Sequence, residues 1–374
     1  NSHDHPSPCA SSSNPRIRVE ILKLPSLRKV ANEAYAARRL RVTPAEIHRI
    51  RSGLMAGAVE GFRPHVLLAD KHPLGAGGEL REALGVHRGR GGAAVLGLRD
   101  ILDEPATVRA EWATHDLGRV VVENYDRLLI YGQRGVFDPV TEYGLPLELA
   151  ARSVFCGYVA REACGGGERC RSVGRGRRVR SPVVLAAVGG GEDGTEVLEA
   201  FLEASLGAPW RAVAVTGPQA PLTAWRRLEE LASRAGAQLR RFIPDLWQVH
   251  GEVDALVCMG GYNTLAEALA LRLPVVCVPR VRPRQEQLLR AEAFARLGLL
   301  QCLHPSMLAA GTLREAIRRA LGRSRAELGV LCESRLHLDG APQAAVVLCS
   351  LARAGERRVV VRSTSVPCAP CILA

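Results

Sequence analysis

The 374-residue sequence predicts an α/β protein of two domains, each built around a parallel β-sheet. Short, uniformly apolar segments alternate along the chain with longer segments in which apolar residues recur at helical spacing. Hydrophobic residues make up 47% of the chain and aromatic residues only 4%, which favours small buried strands over an all-β sandwich. A chain of this length buries enough surface for two cores.

The first elements of the N-terminal half are predicted to be a strand and a helix. A strand-like run begins at Ile17, after a lead rich in Ser, Pro and His over residues 1–15. Apolar residues then recur at helical spacing over residues 32–61, which predicts a helix. Within this segment Thr43 and Glu46 fit a capping box, in which each side chain accepts a hydrogen bond from the other residue's backbone N–H.

The rest of the N-terminal half is predicted to form a parallel sheet. Four apolar runs are predicted strands, and they span residues 65–70, 93–98, 127–131 and 153–159. The first run ends in a Gly-rich turn over residues 73–78, and a helix over residues 79–84 is predicted to follow it.

The alternation of strand and helix restarts after a polar segment and predicts a complete doubly wound sheet in the C-terminal half. The predicted strands span residues 183–188, 212–216, 238–242, 255–259 and 275–278. The predicted helices span residues 195–205, 223–235, 264–271, 285–297, 312–321 and 341–353. The predicted organisation is a disordered lead (1–15), an N-terminal domain (16–160), an Arg- and Gly-rich linker (161–181), a C-terminal domain (182–352) and a tail (353–374).

The formal net charge of +12 comes almost entirely from Arg, because Lys occurs only three times. Residues 161–180 hold seven Arg against two Glu, and residues 353–362 hold four Arg against one Glu. Neither segment has interleaved aromatic residues or an accompanying nucleic-acid-binding motif, so nucleic acid is not an expected partner. A solvated linker and tail is one interpretation, and attraction to anionic lipid head groups is the other.

Location and redox chemistry follow from two further patterns. No apolar run approaches the roughly 18 to 20 residues of a membrane-spanning helix, and the N-terminal segment has no signal-peptide core. The expected location is therefore cytoplasmic, with peripheral contact at the inner face of the membrane. The eleven Cys are scattered, and the CxxC pair Cys368 and Cys371 has no second pair at zinc spacing, so neither a disulfide framework nor a metal site is expected.

Three turns at predicted strand ends carry residues typical of a ligand site. The first contains Gly189, Gly190 and Gly191, between the strand 183–188 and a helix. Backbone N–H groups and a helix N-terminus converge there, as in phosphate-binding turns, although no Lys-Ser/Thr pair follows as in a Walker A loop. A tight turn required only for packing is the alternative.

The second turn contains Gly260 and Gly261, which follow the strand 255–259. Asn263 or Thr264 is predicted to cap the next helix. Glu267 lies one turn further, where its carboxylate can accept hydrogen bonds from a ribose diol. The alternative is that Glu267 only completes a capping box with Thr264.

The third turn follows the strand 275–278 and contains Arg280, Arg282 and Arg284. Guanidinium groups suit phosphate oxygens because they donate two parallel hydrogen bonds. From this charge we predict that Arg280 and Arg284 contact phosphate, with a solvated basic loop as the alternative. Three such turns at one edge of a sheet together predict a nucleotide in the crevice.

The order and spacing of these motifs resemble the C-terminal domain of glycosyltransferase family 28. The matching positions are Gly260 to Glu267, Pro274, Pro279 and residues 287–291, within a resemblance that covers residues 183–352. A group of uncharacterised bacterial predicted glycosyltransferases is similar at residues 70–75, 98–103, 260–264 and 279–287. The resemblance implies the GT-B fold, in which two Rossmann-like, doubly wound domains face each other across a cleft.

The resemblance also implies roles for individual residues. Glu267 binds the ribose of the donor, and the turns 189–191 and 260–261 line its diphosphate. Gln287, together with Glu286, contacts the sugar, and the backbone around Ile243 contacts the base, for which the family suggests uridine. No cofactor or metal is implied, because helix-end amides and Arg stabilise the departing diphosphate.

The N-terminal half departs from the family pattern. Members of this fold begin with a strand and a Gly-rich loop, whose His deprotonates the acceptor hydroxyl. His3 and His5 lie in a segment without a Gly-rich turn, so the N-terminal sheet is expected to lack its first strand and helix. The remaining acceptor-side candidates are Asp70, Lys71 and Gly75, with His72 as the candidate catalytic base. A structural role is the alternative for His72.

The sequence therefore predicts an inverting, metal-independent hexosyltransferase. Its donor is a nucleotide-diphosphate sugar that carries a hexose or N-acetylhexosamine, with UDP as the expected nucleotide. Its acceptor is a sugar, a lipid-linked molecule or another small molecule. One alternative is a nucleotide-sugar 2-epimerase on the same fold, although the cleft carboxylates and His pairs that it needs are not identified. The other is a non-catalytic nucleotide-sugar-binding relative.

Overall fold

The computed structural model describes residues 18–31, 34–160, 181–243, 249 and 251–363, with the backbone alone at residues 29–31, 34 and 355–363. It contains two parallel β-sheets and a separate hairpin. We call the parts of the chain that pack on the two sheets the N-terminal and C-terminal domains. The predicted lead, residues 161–180 of the predicted linker, and the pairs His3/His5 and Cys368/Cys371 lie outside the described residues.

The first described elements differ from the prediction. Residues 18–26 do not form the predicted strand. An antiparallel hairpin of β1 (Leu27–Ala31) and β2 (Ala34–Ala37) takes the place of the first part of the predicted helix. The Arg38 N–H extends this pairing by donating to the Ser26 carbonyl at 2.9 Å. Apolar residues spaced for a helix are therefore paired as strands here.

Helix α1 (Pro44–Phe62) begins at the predicted capping box, which is confirmed. The Thr43 hydroxyl accepts from the Glu46 N–H at 3.3 Å, and the Glu46 carboxylate accepts from the Thr43 N–H at 2.8 Å. Pro44 explains why the helix does not start earlier, because proline disfavours helical backbone in the residue that precedes it.

In the part of the chain that the structure describes, the N-terminal sheet has four parallel strands that lie in the same order in the sheet as in the chain. The strands are β3 (Val66–Asp70), β4 (Ala93–Arg99), β5 (Arg127–Tyr131) and β6 (Ser153–Phe155). The intervening helices are α2 (Arg81–Gly89), α3 (Pro105–Thr114), α4 (Leu117–Asn124), α5 (Pro139–Glu142) and α6 (Leu147–Arg152). Because parallel crossovers are right-handed, strands in chain order receive these helices on one face. Within the described residues, the predicted doubly wound order is thus restricted to the C-terminal sheet.

The other face of the N-terminal sheet is covered by the last of the described helices, α13 (Gly340–Ser363). Successive residues of β4 point to opposite faces, so Leu96 packs with the intervening helices whereas Val95 packs with Ala344 of α13. Two predicted boundaries are therefore wrong. The tail predicted from residue 353 begins as helix, and the segment assigned to the C-terminal domain up to residue 352 ends on the N-terminal sheet.

Among the described residues, the C-terminal sheet has six parallel strands in the order β12-β11-β10-β7-β8-β9. The strands are β7 (Val183–Ala187), β8 (Arg211–Val215), β9 (Gln238–Arg240), β10 (Ala255–Cys258), β11 (Val275–Cys277) and β12 (Gln301–Cys302). The chain starts at the centre, proceeds to one edge, and returns to build the other half. This is the predicted doubly wound topology, and strand order reverses between β7 and β10.

Helices cover both faces of the C-terminal sheet. They are α7 (Thr195–Ala204), α8 (Leu222–Ala235), α9 (Tyr262–Ala270), α10 (Glu286–Arg296), α11 (Ala310–Leu321) and α12 (Arg325–Arg335). Val257 packs on one face with α7 and α11, and Leu256 packs on the other with α9 and α10. None of the described helices has the length and apolar character that a membrane span requires.

Candidate functional site

A cavity of about 450 Å³ opens at the carboxyl ends of β7 and β10. These strands are neighbours in the sheet although β8 and β9 separate them in the chain. Ligands of open α/β sheets bind at such reversal points, because the loops that leave the two strands diverge there. The lining residues are Arg38, residues 187–193, Gln219, Met259, Gly261, Thr264, Arg280 and Gln287.

The structure brings about half of the predicted donor-site residues to this cavity. Those that line it are Gly189, Gly190, Gly191, Gly261, Thr264, Arg280 and Gln287. Those that do not line it are Ile243, Gly260, Asn263, Glu267, Arg284 and Glu286.

The turn after β7 combines a packing role with an open backbone. Gly191 has φ 92°, and a Cβ there would lie 2.4 Å from the Thr216 carbonyl oxygen, so this position requires glycine for packing. A Cβ at Gly189 or Gly190 would meet no atom within 4 Å, and both residues border the cavity. The packing interpretation therefore applies to Gly191, whereas Gly189 and Gly190 leave their backbone accessible to a ligand.

The turn after β10 differs from the prediction at its cap. Helix α9 begins at Tyr262, and its N-cap is Gly261, which leaves the first turn without a side-chain cap among the described residues. Asn263 and Thr264 lie inside the helix, so the predicted capping role is wrong for both, and so is the alternative capping box with Glu267. The helix starts early because Gly260, at φ 84°, completes the turn before it.

Glu267 lies near the cavity without lining it. It follows Thr264 by three residues on α9, and residues at that spacing share one face of a helix. Thr264 lines the cavity, and the Glu267 side chain is half-buried. Its carboxylate is thus one helical turn from the cavity wall, on the same side of α9.

The arginine side chains of the turn after β11 point in two different directions. Arg280 lines the cavity and pairs with Asp193 at 3.1 Å and with Glu286 at 2.7 Å. Arg284 points away from it and pairs with Asp103 at 3.6 Å and with Glu111 at 3.2 Å. The position of Arg284 therefore does not support the predicted phosphate contact, because two carboxylates of the N-terminal domain bind its guanidinium.

Helix α10 begins at the cavity with Glu286 and Gln287. The Gln287 side chain lines the cavity, and its Oε1 accepts from the Arg280 N–H at 3.1 Å. Glu286 Oε1 accepts from Arg280 Nη2, while its Oε2 is buried without a hydrogen-bond partner in the described part of the chain. Glu286 thus orients Arg280, and Gln287 presents its amide to the cavity.

Several cavity residues were not predicted from the sequence. Arg38 follows the β1–β2 hairpin and lies 3.9 Å from Glu192, so it reaches the cavity from the N-terminal domain. Asp193 belongs to the same loop as the three glycines and could have been found from that proximity. Arg38 had no comparable signal, because its approach depends on how the two domains pack.

The acceptor-side candidates lie together at the carboxyl end of β3, outside the cavity lining. Lys71 has φ 66° and donates its N–H to the Gly97 carbonyl at 2.7 Å, and the His72 N–H donates to the Asp70 carbonyl at 2.7 Å. Gly75 has φ 73°, and a Cβ there would lie 2.9 Å from Glu79 Cγ. The turn therefore requires glycine at Gly75, whereas its backbone hydrogen bonds do not depend on the side chains of Asp70, Lys71 and His72. The catalytic role of His72 stays a prediction.

Ile243 lies beside the C-terminal core rather than in the cavity lining. Residues 244–248, which continue the predicted base-binding segment, are outside the described residues. Among the residues that are described, no group of three or more His, Cys, Asp or Glu could hold a metal ion.

A buried ion pair joins the two domains behind the cavity. Arg290 of α10 contacts Asp100 at 2.8 Å, and their side chains are 2% and 0% exposed. Burial lowers the pKa of Arg290, but the charge and hydrogen bond of Asp100, together with smaller contributions from Tyr158 and Glu286, outweigh burial and raise that pKa above its usual value. Nearby, the Tyr262 hydroxyl accepts from the Val159 N–H at 2.9 Å, and burial raises the pKa of Tyr262, so the hydroxyl stays protonated.

No protein-family model matches the chain. A curated protein, the UDP-N-acetylglucosamine--N-acetylmuramyl-(pentapeptide) pyrophosphoryl-undecaprenol N-acetylglucosamine transferase of Anaplasma marginale (strain St. Maries), is 28% identical over 127 residues. The match covers 33% of this chain and 35% of that enzyme. The chain is thus aligned with only about a third of the length of this relative.

Solved structures match over most of the chain. The kitacinnamycin glycotransferase aligns with a TM-score of 0.56 at 16% identity, covering 84% of this chain and 83% of that one. A protein described as a UDP-N-acetylglucosamine 2-epimerase from Listeria monocytogenes aligns with a TM-score of 0.55 at 12% identity, covering 85% and 82%. Identities this low establish the fold alone. The chain therefore has the predicted GT-B fold, and it resembles the glycosyltransferases of family 28.

Proposed function

We propose that the chain is a glycosyltransferase that binds a nucleotide-diphosphate sugar in the cavity between β7 and β10. The observation that carries the proposal is the convergence, at the reversal point of the sheet, of the open backbone at Gly189 and Gly190 with the Arg280 guanidinium. The N-termini of α7 and α9 lie at the same edge and favour negative charge.

These groups suit the departure of a diphosphate. The acceptor oxygen attacks C1 of the sugar from the opposite side, the C1–O bond to the diphosphate breaks, and the acceptor proton passes to a base. Negative charge grows on the diphosphate, where preorganised N–H groups and Arg280 stabilise it without a metal. Arg280 exchanges its contact with Asp193 for phosphate oxygens, while Glu286 keeps the guanidinium oriented. One displacement of this kind inverts the configuration at C1.

The proposed nucleotide is UDP. The donor named for the curated relative is UDP-N-acetylglucosamine, and the motif around Glu267 resembles family 28, in which this carboxylate binds ribose. The acceptor is proposed to approach from the side of Asp70, Lys71 and Gly75, as a sugar, a lipid-linked molecule or another small molecule. The relative's named acceptor carries undecaprenol, which favours the lipid-linked class.

A titration of the purified chain with UDP, TDP, GDP and ADP, with and without magnesium, tests the proposal. We expect selective binding of UDP that does not require the metal.

Gly190→Ala is expected to weaken UDP binding about tenfold, because its Cβ would project into the space of the diphosphate. The position has neither a positive φ nor a close neighbour, so the variant should unfold at the same temperature as the parent. Equal affinity for both proteins would contradict a diphosphate at this turn.

Glu267→Ala is expected to weaken UDP binding by about 10-fold to 100-fold, since hydrogen bonds to a charged group contribute about 1.5–3 kcal/mol. The same titration measures it, with circular dichroism to verify the fold. Glu333→Ala is the matched control, because Glu333 is an exposed helical carboxylate of the same domain. Unchanged affinity in Glu267→Ala would remove the ribose assignment.

The reaction itself separates the proposal from its alternatives. Incubation with UDP-N-acetylglucosamine and a lipid-linked sugar acceptor should release UDP in proportion to acceptor. Formation of a 2-epimer without acceptor would identify an epimerase, which shares the fold. Tight binding without release of UDP would identify a non-catalytic binder.

A further inference from the structure

The N-terminus of α10 is held by a residue of the other domain. Gln285 is the N-cap of this helix, and no side-chain cap of the usual kind is present among the described residues. Instead, the Gln285 N–H donates to Asp103 Oδ1 at 2.7 Å, across 182 positions of sequence. Asp103 is 4% exposed and follows β4 of the N-terminal sheet.

Three ion pairs, made by two arginines, strengthen this contact. Arg284, immediately before Gln285, lies between Asp103 and Glu111 of α3. Further along α10, Arg290 pairs with Asp100 and also donates to the Ile101 carbonyl at 2.9 Å. The segment 98–103, which the sequence singled out without a role, therefore holds both the start and the middle of α10.

The held end of α10 is also the end that faces the cavity. Glu286 and Gln287 follow Gln285 directly, and they bond to Arg280 through its guanidinium and its backbone N–H. The first turn of a helix frays readily, because its N–H groups lack intrahelical partners. A capping carboxylate opposes this fraying and suits the positive end of the helix dipole.

We propose that Asp103 is a positioning residue of the donor site, although it belongs to the N-terminal domain. By holding Gln285, it fixes Gln287 and Arg280 in the orientation that meets the nucleotide sugar. This inference rests on the proposed function for its ligand. The contacts themselves do not depend on a ligand.

The test combines hydrogen exchange with UDP titration of the full chain. In Asp103→Ala, amides of residues 280–290 should exchange faster while those of α11 keep their parental rates, and UDP affinity should fall about tenfold through loss of the cap. Asp103→Asn keeps an oxygen acceptor for the Gln285 N–H, and its affinity should stay within about threefold of the parent. Asp116→Ala, which removes an exposed carboxylate of the N-terminal domain, should change neither readout.

Each outcome decides the inference. Local exchange that is unchanged in Asp103→Ala overturns the capping contact, whether or not UDP binds. Faster local exchange with unchanged UDP affinity overturns the positioning role. If the parent protein binds no nucleotide, the proposed function fails, and the exchange of residues 280–290 still decides whether Asp103 holds α10.

Discussion

Arg290→Ala is expected to lower the free energy of unfolding by about 3–5 kcal/mol, which makes it among the most disruptive single substitutions in the chain. The substitution leaves the Asp100 carboxylate fully buried without its cation. One oxygen of that carboxylate, Oδ2, already has no hydrogen-bond partner within the described residues. Urea unfolding followed by circular dichroism measures the loss.

The surface offers a matched control for this prediction. Glu333 and Arg272 lie 2.7 Å apart, close to the 2.8 Å of the buried pair, but their side chains are 68% and 50% exposed. Glu333→Ala should therefore cost at most about 1 kcal/mol. Replacing both buried partners, as Asp100→Leu with Arg290→Met, should recover much of the stability, because neither charge of this pair then remains buried. Equal losses in Arg290→Ala and Glu333→Ala would contradict the importance of burial.

Gly191→Ala is expected to cost about 3 kcal/mol of stability and to abolish UDP binding, because strain and backbone clash act together. Its φ of 92° is unfavourable for alanine, and the added Cβ would lie 2.4 Å from the Thr216 oxygen and 2.8 Å from the Ala220 nitrogen. Neither atom belongs to a flexible side chain, so the turn itself must shift. Thermal unfolding and UDP titration measure the two effects.

Gly189→Ala separates the strain from the clash. Gly189 has φ 77° but no neighbour within 4 Å, so only the backbone conformation is penalised, by about 1 kcal/mol. A larger loss in Gly191→Ala than in Gly189→Ala then reports the clash that is added to a backbone penalty of the same kind. If both lose the same stability, then the residues after β8 do not support the turn as tightly as their positions indicate.

The sequence predicted the C-terminal domain more fully than the N-terminal one for a physical reason. Buried parallel strands such as β7 and β10 are short apolar runs with Gly at their ends, and this pattern is local. The β1–β2 hairpin has apolar residues that also fit a helix, so only the pairing decides between them. The capping box at Thr43, with Pro44 at the first helical position, did mark the start of α1 in the sequence, so the residues that were missed are the strands before it.

Residues of the candidate site were predictable from the sequence where the strand directly before them places them at the cavity. Gly189, Gly190 and Arg280 reach the cavity because the strand before each of them ends there. Arg38 and Arg284 behave otherwise, since the packing of the two domains decides their partners. Charge density alone did not reveal the partners of Arg284, because the two carboxylates that bind it are distant in sequence.

The return of α13 to the N-terminal sheet makes that domain discontinuous in sequence. Asp339, just before this helix, pairs with Val159 near the end of the first segment, so the chain passes between the domains a second time at this place. A protein expressed from the N-terminal segment alone would expose Val95 and Leu129, which α13 covers. Independent production of the N-terminal domain therefore requires both segments, joined by a short linker in place of the C-terminal domain.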